Sequence, residues 1–164
     1  MAVVVAIVIG SGSGDDSSER VERASIGGPA PDIEMLDFDG EPLVLSEYRG
    51  TPVVLNFWAT WCPFCIAEMP DFETVSQSLL DEVVFLGVNL QDDRGQAVAL
   101  AEDTGVTYRL ADDPTGAVYG AFGGTSMPTT VFIDADGTVR ELVGGQMSES
   151  QLRDAIQRSF GVPA

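Results

Sequence analysis

Cys62 and Cys65 are the only cysteines in the chain, three positions apart in Trp61-Cys62-Pro63-Phe64-Cys65. A cross-link between them would close so short a loop that it would restrain the unfolded chain very little. A structural zinc normally takes four ligands, and this sequence offers two thiols, no histidine and no second C-x-x-C. Reversible thiol-disulfide chemistry is the simplest use of such a pair. Metal binding and incidental cysteines stand as its alternatives.

The flanking residues say how the pair would be positioned. Val53-Val54-Leu55-Asn56-Phe57-Trp58 is a short apolar run of the kind that forms a buried parallel strand. Ala59-Thr60-Trp61 makes a short connection. From Pro63, the apolar residues Ile66, Met69, Phe72, Val75 and Leu79 recur at three- and four-residue steps, with Leu80 next to the last, which predicts an amphipathic helix over about 63–80. Proline suits the first turn of a helix, where its missing N–H costs nothing. Cys62 therefore belongs at a helix N-terminus, where unpaired N–H groups and the helix dipole favour thiolate over thiol. Cysteines so placed can have a pKa of about 3.5–7.5 instead of about 8.5. That makes Cys62 the attacking thiol and Cys65, one turn deeper, the thiol that resolves the mixed disulfide.

Composition limits what else the chain can do. It has 164 residues, 45% of them hydrophobic, which suits one domain with a substantial core. The 26 acidic residues outnumber 8 basic ones, all arginine, for a net charge of −18. Such a surface repels phosphate backbones and anionic headgroups, so nucleic-acid binding is excluded. The absence of histidine removes Ser-His-Asp and Cys-His catalysis, histidine-ligated metals and histidine pH switches.

A family resemblance sharpens the reading. Pro52 to Cys65 (PVVLNFWATWCPFC), followed by Glu68-Met69-Pro70, resembles the thioredoxin superfamily, and within it the TlpA/ResA/DsbE-type thiol-disulfide oxidoreductases. Pro29-Ala30-Pro31-Asp32 through Gly40, and Leu45-Ser46-Glu47-Tyr48-Arg49-Gly50, resemble the N-terminal hairpin of that branch and the turn leading out of it. Ser126-Met127-Pro128-Thr129-Thr130-Val131-Phe132-Ile133-Asp134 and Asp136-Gly137 resemble its cis-proline loop and the following hairpin. The similarity spans about residues 28–160. It implies an α/β thioredoxin fold: a central mixed sheet flanked by helices, with an N-terminal β-hairpin and a central αβ insertion. It implies a cis peptide at Pro128, which would set the Met127 backbone beside the cysteines to pair with a substrate strand. Pro70 matches a helix-kinking proline. Asn56 stands where thioredoxins carry a buried aspartate, and an amide cannot take up a proton. The branch uses instead a glutamate three residues beyond the second cysteine, here Glu68, which would exchange a proton with Cys65. The spacing by itself also fits a solvated glutamate that stabilises the helix dipole.

Along the chain, residues 1–9 (MAVVVAIVI) are apolar, lack a preceding basic stretch and are too short to span a bilayer. Residues 10–28 form a Gly/Ser-rich charged linker, and 29–164 the thioredoxin-like domain. The apolar start is expected to be the remnant of a signal or membrane anchor, with disulfide chemistry pointing outside the cytoplasm. The domain is expected to have strands near 33–38, 43–45, 53–58, 83–89 and 107–110. Helices follow near 94–104, 115–119 and 149–160, the last burying Leu152, Ile156 and Phe160. A hairpin 129–134/138–143 turns at Asp136-Gly137. Trp61, Pro63, Phe64 and Met127, with Gly144-Gly145, are expected to form an apolar patch for extended polypeptides. The Asp92-Asp93 and Asp112-Asp113 pairs read as solvated loop charges, not calcium ligands.

The expected function is disulfide exchange with extracytoplasmic proteins through Cys62 and Cys65, without metal or cofactor. By resemblance it is a reductant, for instance of the cytochrome c maturation type, served by a membrane or soluble thiol electron partner and acting as a monomer. An oxidant of secreted thiols is the first alternative. A peroxiredoxin-like peroxidase would need Pro and Thr where Leu55 and Ala59 stand, and a metal chaperone would need histidine or methionine beside the cysteines.

Overall fold

The computed structural model describes residues 23–164. The apolar segment 1–9 and most of the expected linker lie outside the described residues. Seven strands form one mixed sheet: β1 (Met35–Asp37), β2 (Pro42–Leu43), β3 (Val53–Trp58), β4 (Val84–Leu90), β5 (Arg109–Asp113), β6 (Thr129–Ile133) and β7 (Val139–Gly144). Among the described residues four helices accompany them: α1 (Pro63–Ser78), α2 (Arg94–Thr104), α3 (Ala117–Ala121) and α4 (Glu149–Phe160), with a 3-10 turn at Leu45–Tyr48. The spatial order is β2-β1-β5-β4-β3-β6-β7. β3, β4 and β5 run parallel, while β6 pairs antiparallel with β3 and β7 with β6. The β1–β2 hairpin adds antiparallel to β5. This is the expected thioredoxin-like α/β architecture.

The period of two along β3 divides the core. Val53, Leu55 and Phe57 join the α3 residues Val118 and Tyr119, Phe122 and the N-terminal hairpin on one face. Val54 packs with α1 and α4 on the other, and Trp58 packs with the cysteines, Met69 and Ala97 of α2. Asn56 shares the parity of Val54 and Trp58, so β3 carries one buried amide toward α1.

Several boundaries differ from expectation for identifiable reasons. Residues 24–28, expected in the linker, are bound to the domain: Ala24 N–H donates to Ala121, and Gly27 and Gly28 bond to Val139. The expected strand at 43–45 ends at Leu43 because the chain enters the 3-10 turn. The strand expected at 107–110 begins at Arg109, since Thr107 is drawn to α1, its N–H and hydroxyl donating to Glu73 at 2.8 and 2.7 Å. α1 stops at Ser78, so Leu80 lies past the helical periodicity and is exposed. Phe160 is only half-buried, packed on Phe132 with ring centroids 6.1 Å apart. Nor are the acidic pairs simple solvated charges. Asp93 caps α2 through Gln96 N–H, Asp112 and Asp113 lie in β5, and Asp112 pairs with Arg94. The β6–β7 turn falls where expected, with Gly137 at φ 77°, a left-handed conformation that glycine adopts without steric cost.

Candidate active site

β3 ends at Trp58, and after a three-residue connection Cys62 is the N-cap of α1, with Pro63 opening the first turn. The Cys62 side chain does what a capping serine would do: its Sγ accepts the Cys65 N–H at 3.2 Å. No acidic side chain occupies the first turn of α1, so nothing offsets the positive end of the helix. A thiolate on Cys62 therefore gains both a hydrogen bond and a favourable dipole. Cys62 and Cys65 form a disulfide with Cα atoms 5.3 Å apart. Cys65 is fully enclosed, whereas Cys62 keeps 4% of its surface exposed and is the more accessible of the two.

The approach to the pair is held from a distance. Asp92, two residues past β4, accepts the Thr60 N–H at 2.6 Å and the Thr60 hydroxyl at 2.7 Å, and also Asn89 Nδ2 at 3.1 Å. Burial pushes its carboxyl up, but these hydrogen bonds and that from Asp93 N–H outweigh it and hold Asp92 below the ordinary carboxylate range. Sequence reasoning missed this anchor because Asp92 and Thr60 are 32 residues apart. An acid just after a parallel strand adjacent to β3 was the available signal.

Glu68 is fully buried, not a solvated first-turn glutamate. Oε1 accepts from Asn56 Nδ2 at 2.9 Å, and Oε2 accepts from Met147 N–H at 2.9 Å. Asn56 also donates to Thr130 Oγ1 of β6 at 3.2 Å. Burial pushes the Glu68 carboxyl up to about 7, against the opposing pull of the Met147 and Asn56 hydrogen bonds, with the nearby Asp71 charge adding to the rise. Asn56 takes up no proton itself, yet it orients the group that can.

The expected patch residues separate by exposure. Trp61 is 55% and Phe64 62% exposed, beside an exposed Pro63. Met127 is half-buried against the cluster that contains both cysteines. The Met127-Pro128 bond is cis, and Pro128 is buried. Gly145 N–H donates to the Pro128 carbonyl at 2.8 Å, tying the start of the β7–α4 connection to this loop. Among the described residues no backbone bond engages the N–H or C=O of Met127. Pro70 lies within α1, which runs on through it.

Residues 26–142 match the AhpC/TSA family. The chain belongs to that family. It is 32% identical over 134 residues to the thiol-disulfide oxidoreductase ResA of Geobacillus thermodenitrificans, covering 81% of this chain and 77% of that one. A secreted Mycobacterium tuberculosis disulfide oxidoreductase homologous to E. coli DsbE superposes with a TM-score of 0.72 at 27% identity, over 77% of this chain and 96% of the other. A thioredoxin-family thiol:disulfide interchange protein of Chlorobium tepidum does so with a TM-score of 0.73 at 27% identity, over 82% and 97%. With its Cys62–Cys65 disulfide at a helix tip, this AhpC/TSA-family chain is a thiol-disulfide oxidoreductase of thioredoxin-like fold. Leu55 and Ala59 keep it apart from the peroxidase pattern considered above.

Proposed function

We propose that the protein reduces disulfides of exported polypeptides outside the cytoplasm, with Cys62 as nucleophile, Cys65 as resolving thiol and Glu68 as proton carrier. The Cys62 thiolate attacks one sulfur of the substrate disulfide, and the other leaves as a thiolate that takes a proton from water. Cys65 gives its proton to the Glu68 carboxylate and attacks Cys62 Sγ. The second substrate thiolate departs, and the Cys62–Cys65 disulfide remains. Two electrons pass from the pair to the substrate, so the chemistry needs no bound cofactor or metal. A membrane or soluble thiol partner would then restore the dithiol, with the protein acting as a monomer. Substrate would lie over Trp61, Pro63 and Phe64, its backbone pairing with the free polar groups of Met127 beside Pro128.

The observation that carries this reading is the Cys62 sulfur capping α1, with the buried Glu68 carboxyl one turn past Cys65. Extracytoplasmic action is supported by the secreted structural relative and by the compartments in which disulfides persist. Equilibration with glutathione tests the direction. A potential near ~−270 mV marks a reductant, whereas one near ~−120 mV marks an oxidant of secreted thiols and overturns the proposal. A Cys65→Ser variant should in addition accumulate mixed disulfides with exported proteins on Cys62.

A further inference from the structure

Glu68 and Asp71 stand one turn apart on the same face of α1. Residues 147–149 cross that face as β7 gives way to α4, and the two carboxylates hold two backbone N–H groups of this one segment. Glu68 Oε2 accepts from Met147 at 2.9 Å, and Asp71 Oδ2 from Glu149 at 3.0 Å. Glu149 is the first residue of α4, so Asp71 lies where a helix N-terminus suits a negative charge. Among the described residues the ion pairs include neither Glu68 nor Asp71, and the Glu149 carboxylate is turned to Arg153 at 2.8 Å. Glu68 is enclosed and Asp71 half-buried, so solvent only partly screens the outer charge from the inner one.

We infer that Asp71 is a positioning residue for disulfide exchange: its carboxylate, clasped beside Glu68 by the 147–149 segment, raises the pH at which Glu68 takes up and releases its proton. The inference rests on the proposed role of Glu68 as proton carrier. The other groups facing Glu68 leave this influence unopposed. β3 and β6 contribute only the neutral Asn56 and Thr130, and the β7–α4 connection a backbone N–H. The Tyr108 phenol, just before β5, is held neutral by its own burial first and by the Glu68 and Glu73 charges after that. Cys65 is silent while oxidised. A like charge this close makes ionisation of Glu68 harder, so the acid keeps its proton to higher pH than it would without Asp71.

The test is an NMR titration of the Glu68 side-chain carboxyl in the full, oxidised chain, comparing wild type with Asp71→Asn, which keeps an acceptor for Glu149 N–H. The Glu68 midpoint should fall by roughly half a pH unit, the size of a like-charge contact through partly solvated surroundings. Asp71→Glu should restore it, and Asp71→Ser gives the same readout if the Asn variant does not fold. The pH profile of disulfide reduction should move by the same amount, and should not move when Asp71→Asn is added to Glu68→Gln. A midpoint that stays put or rises overturns the inference, as does a profile that shifts equally without Glu68. If the midpoint moves and the profile does not, the proton-carrier reading of Glu68 is what fails, and the part of Asp71 in the reaction falls with it.

Discussion

Replacing Glu68 with glutamine should remove a pH dependence from the folding stability of the oxidised protein. In the unfolded chain Glu68 ionises near its ordinary 4.5, whereas burial holds the folded carboxyl up to about 7. Between those values the folded state carries a proton that the unfolded state has lost, so unfolding becomes easier as pH rises. Raising a carboxyl from 4.5 to about 7 is worth about 3 kcal/mol, at about 1.4 kcal/mol per pH unit. Wild-type stability relative to Glu68→Gln should thus decline by up to that amount from pH 4.5 to 7, and be level on either side. Glutamine offers one acceptor oxygen to the two donors Asn56 Nδ2 and Met147 N–H, so the variant also carries a constant penalty of about 1–3 kcal/mol. Only the pH-dependent part bears on the argument. Urea unfolding at a series of pH values measures it, urea being preferred because guanidinium would screen a net charge of −18. Oxidation keeps the cysteines silent, and subtraction cancels the carboxyls that are not coupled to Glu68. A difference that is flat to within about 0.5 kcal/mol, or that grows with pH, would refute the account of Glu68 as a proton-holding buried acid.

Three further outcomes follow from other parts of the molecule. Trp61→Ala and Phe64→Ala remove side chains that are 55% and 62% exposed, so stability should change by less than about 0.5 kcal/mol. Steady-state kinetics with a disulfide-containing polypeptide should then show a raised KM with kcat nearly unchanged. Asp92→Ala leaves the Thr60 N–H and hydroxyl without their acceptor, which should lower stability by roughly 1–2 kcal/mol in urea unfolding and slow attack by Cys62. Finally, a chain of net charge −18 repels itself. Its Tm in calorimetry should climb as salt shortens the Debye length from about 10 Å at 0.1 M to about 3 Å at 1 M.

Features carried by neighbours in the chain were legible without coordinates. The apolar run of β3, the step pattern of α4 and the Asp136-Gly137 turn each hold their signal within a few residues. The ends of α4 fall at 149 and 160 as expected because local chemistry defines them. Ser148 and Gln151 form a capping box, and Gly161 at φ 72° closes the helix. Contacts between distant segments were not legible in the local residue pattern; the family resemblance alone placed Met127 beside the cysteines. The grip of Asp92 on Thr60 spans 32 residues, and that of Glu73 on Thr107 spans 34. Periodicity identifies the face a side chain occupies and is silent on what meets that face.

Glu68 shows where the division lies. The order of residues alone put a reactive sulfur at a helix tip, a second one turn along and a carboxyl one turn beyond that, because the α-helical repeat follows from backbone geometry. The same spacing accommodates a solvated acid near its ordinary pKa or an enclosed one near 7. Asn56 of β3 and Met147 beyond β7, 12 and 79 residues from Glu68 in the chain, close over it and exclude water. Desolvation depends on what is packed around a group and not on what precedes it in the chain, so only the tertiary structure could decide which acid it is.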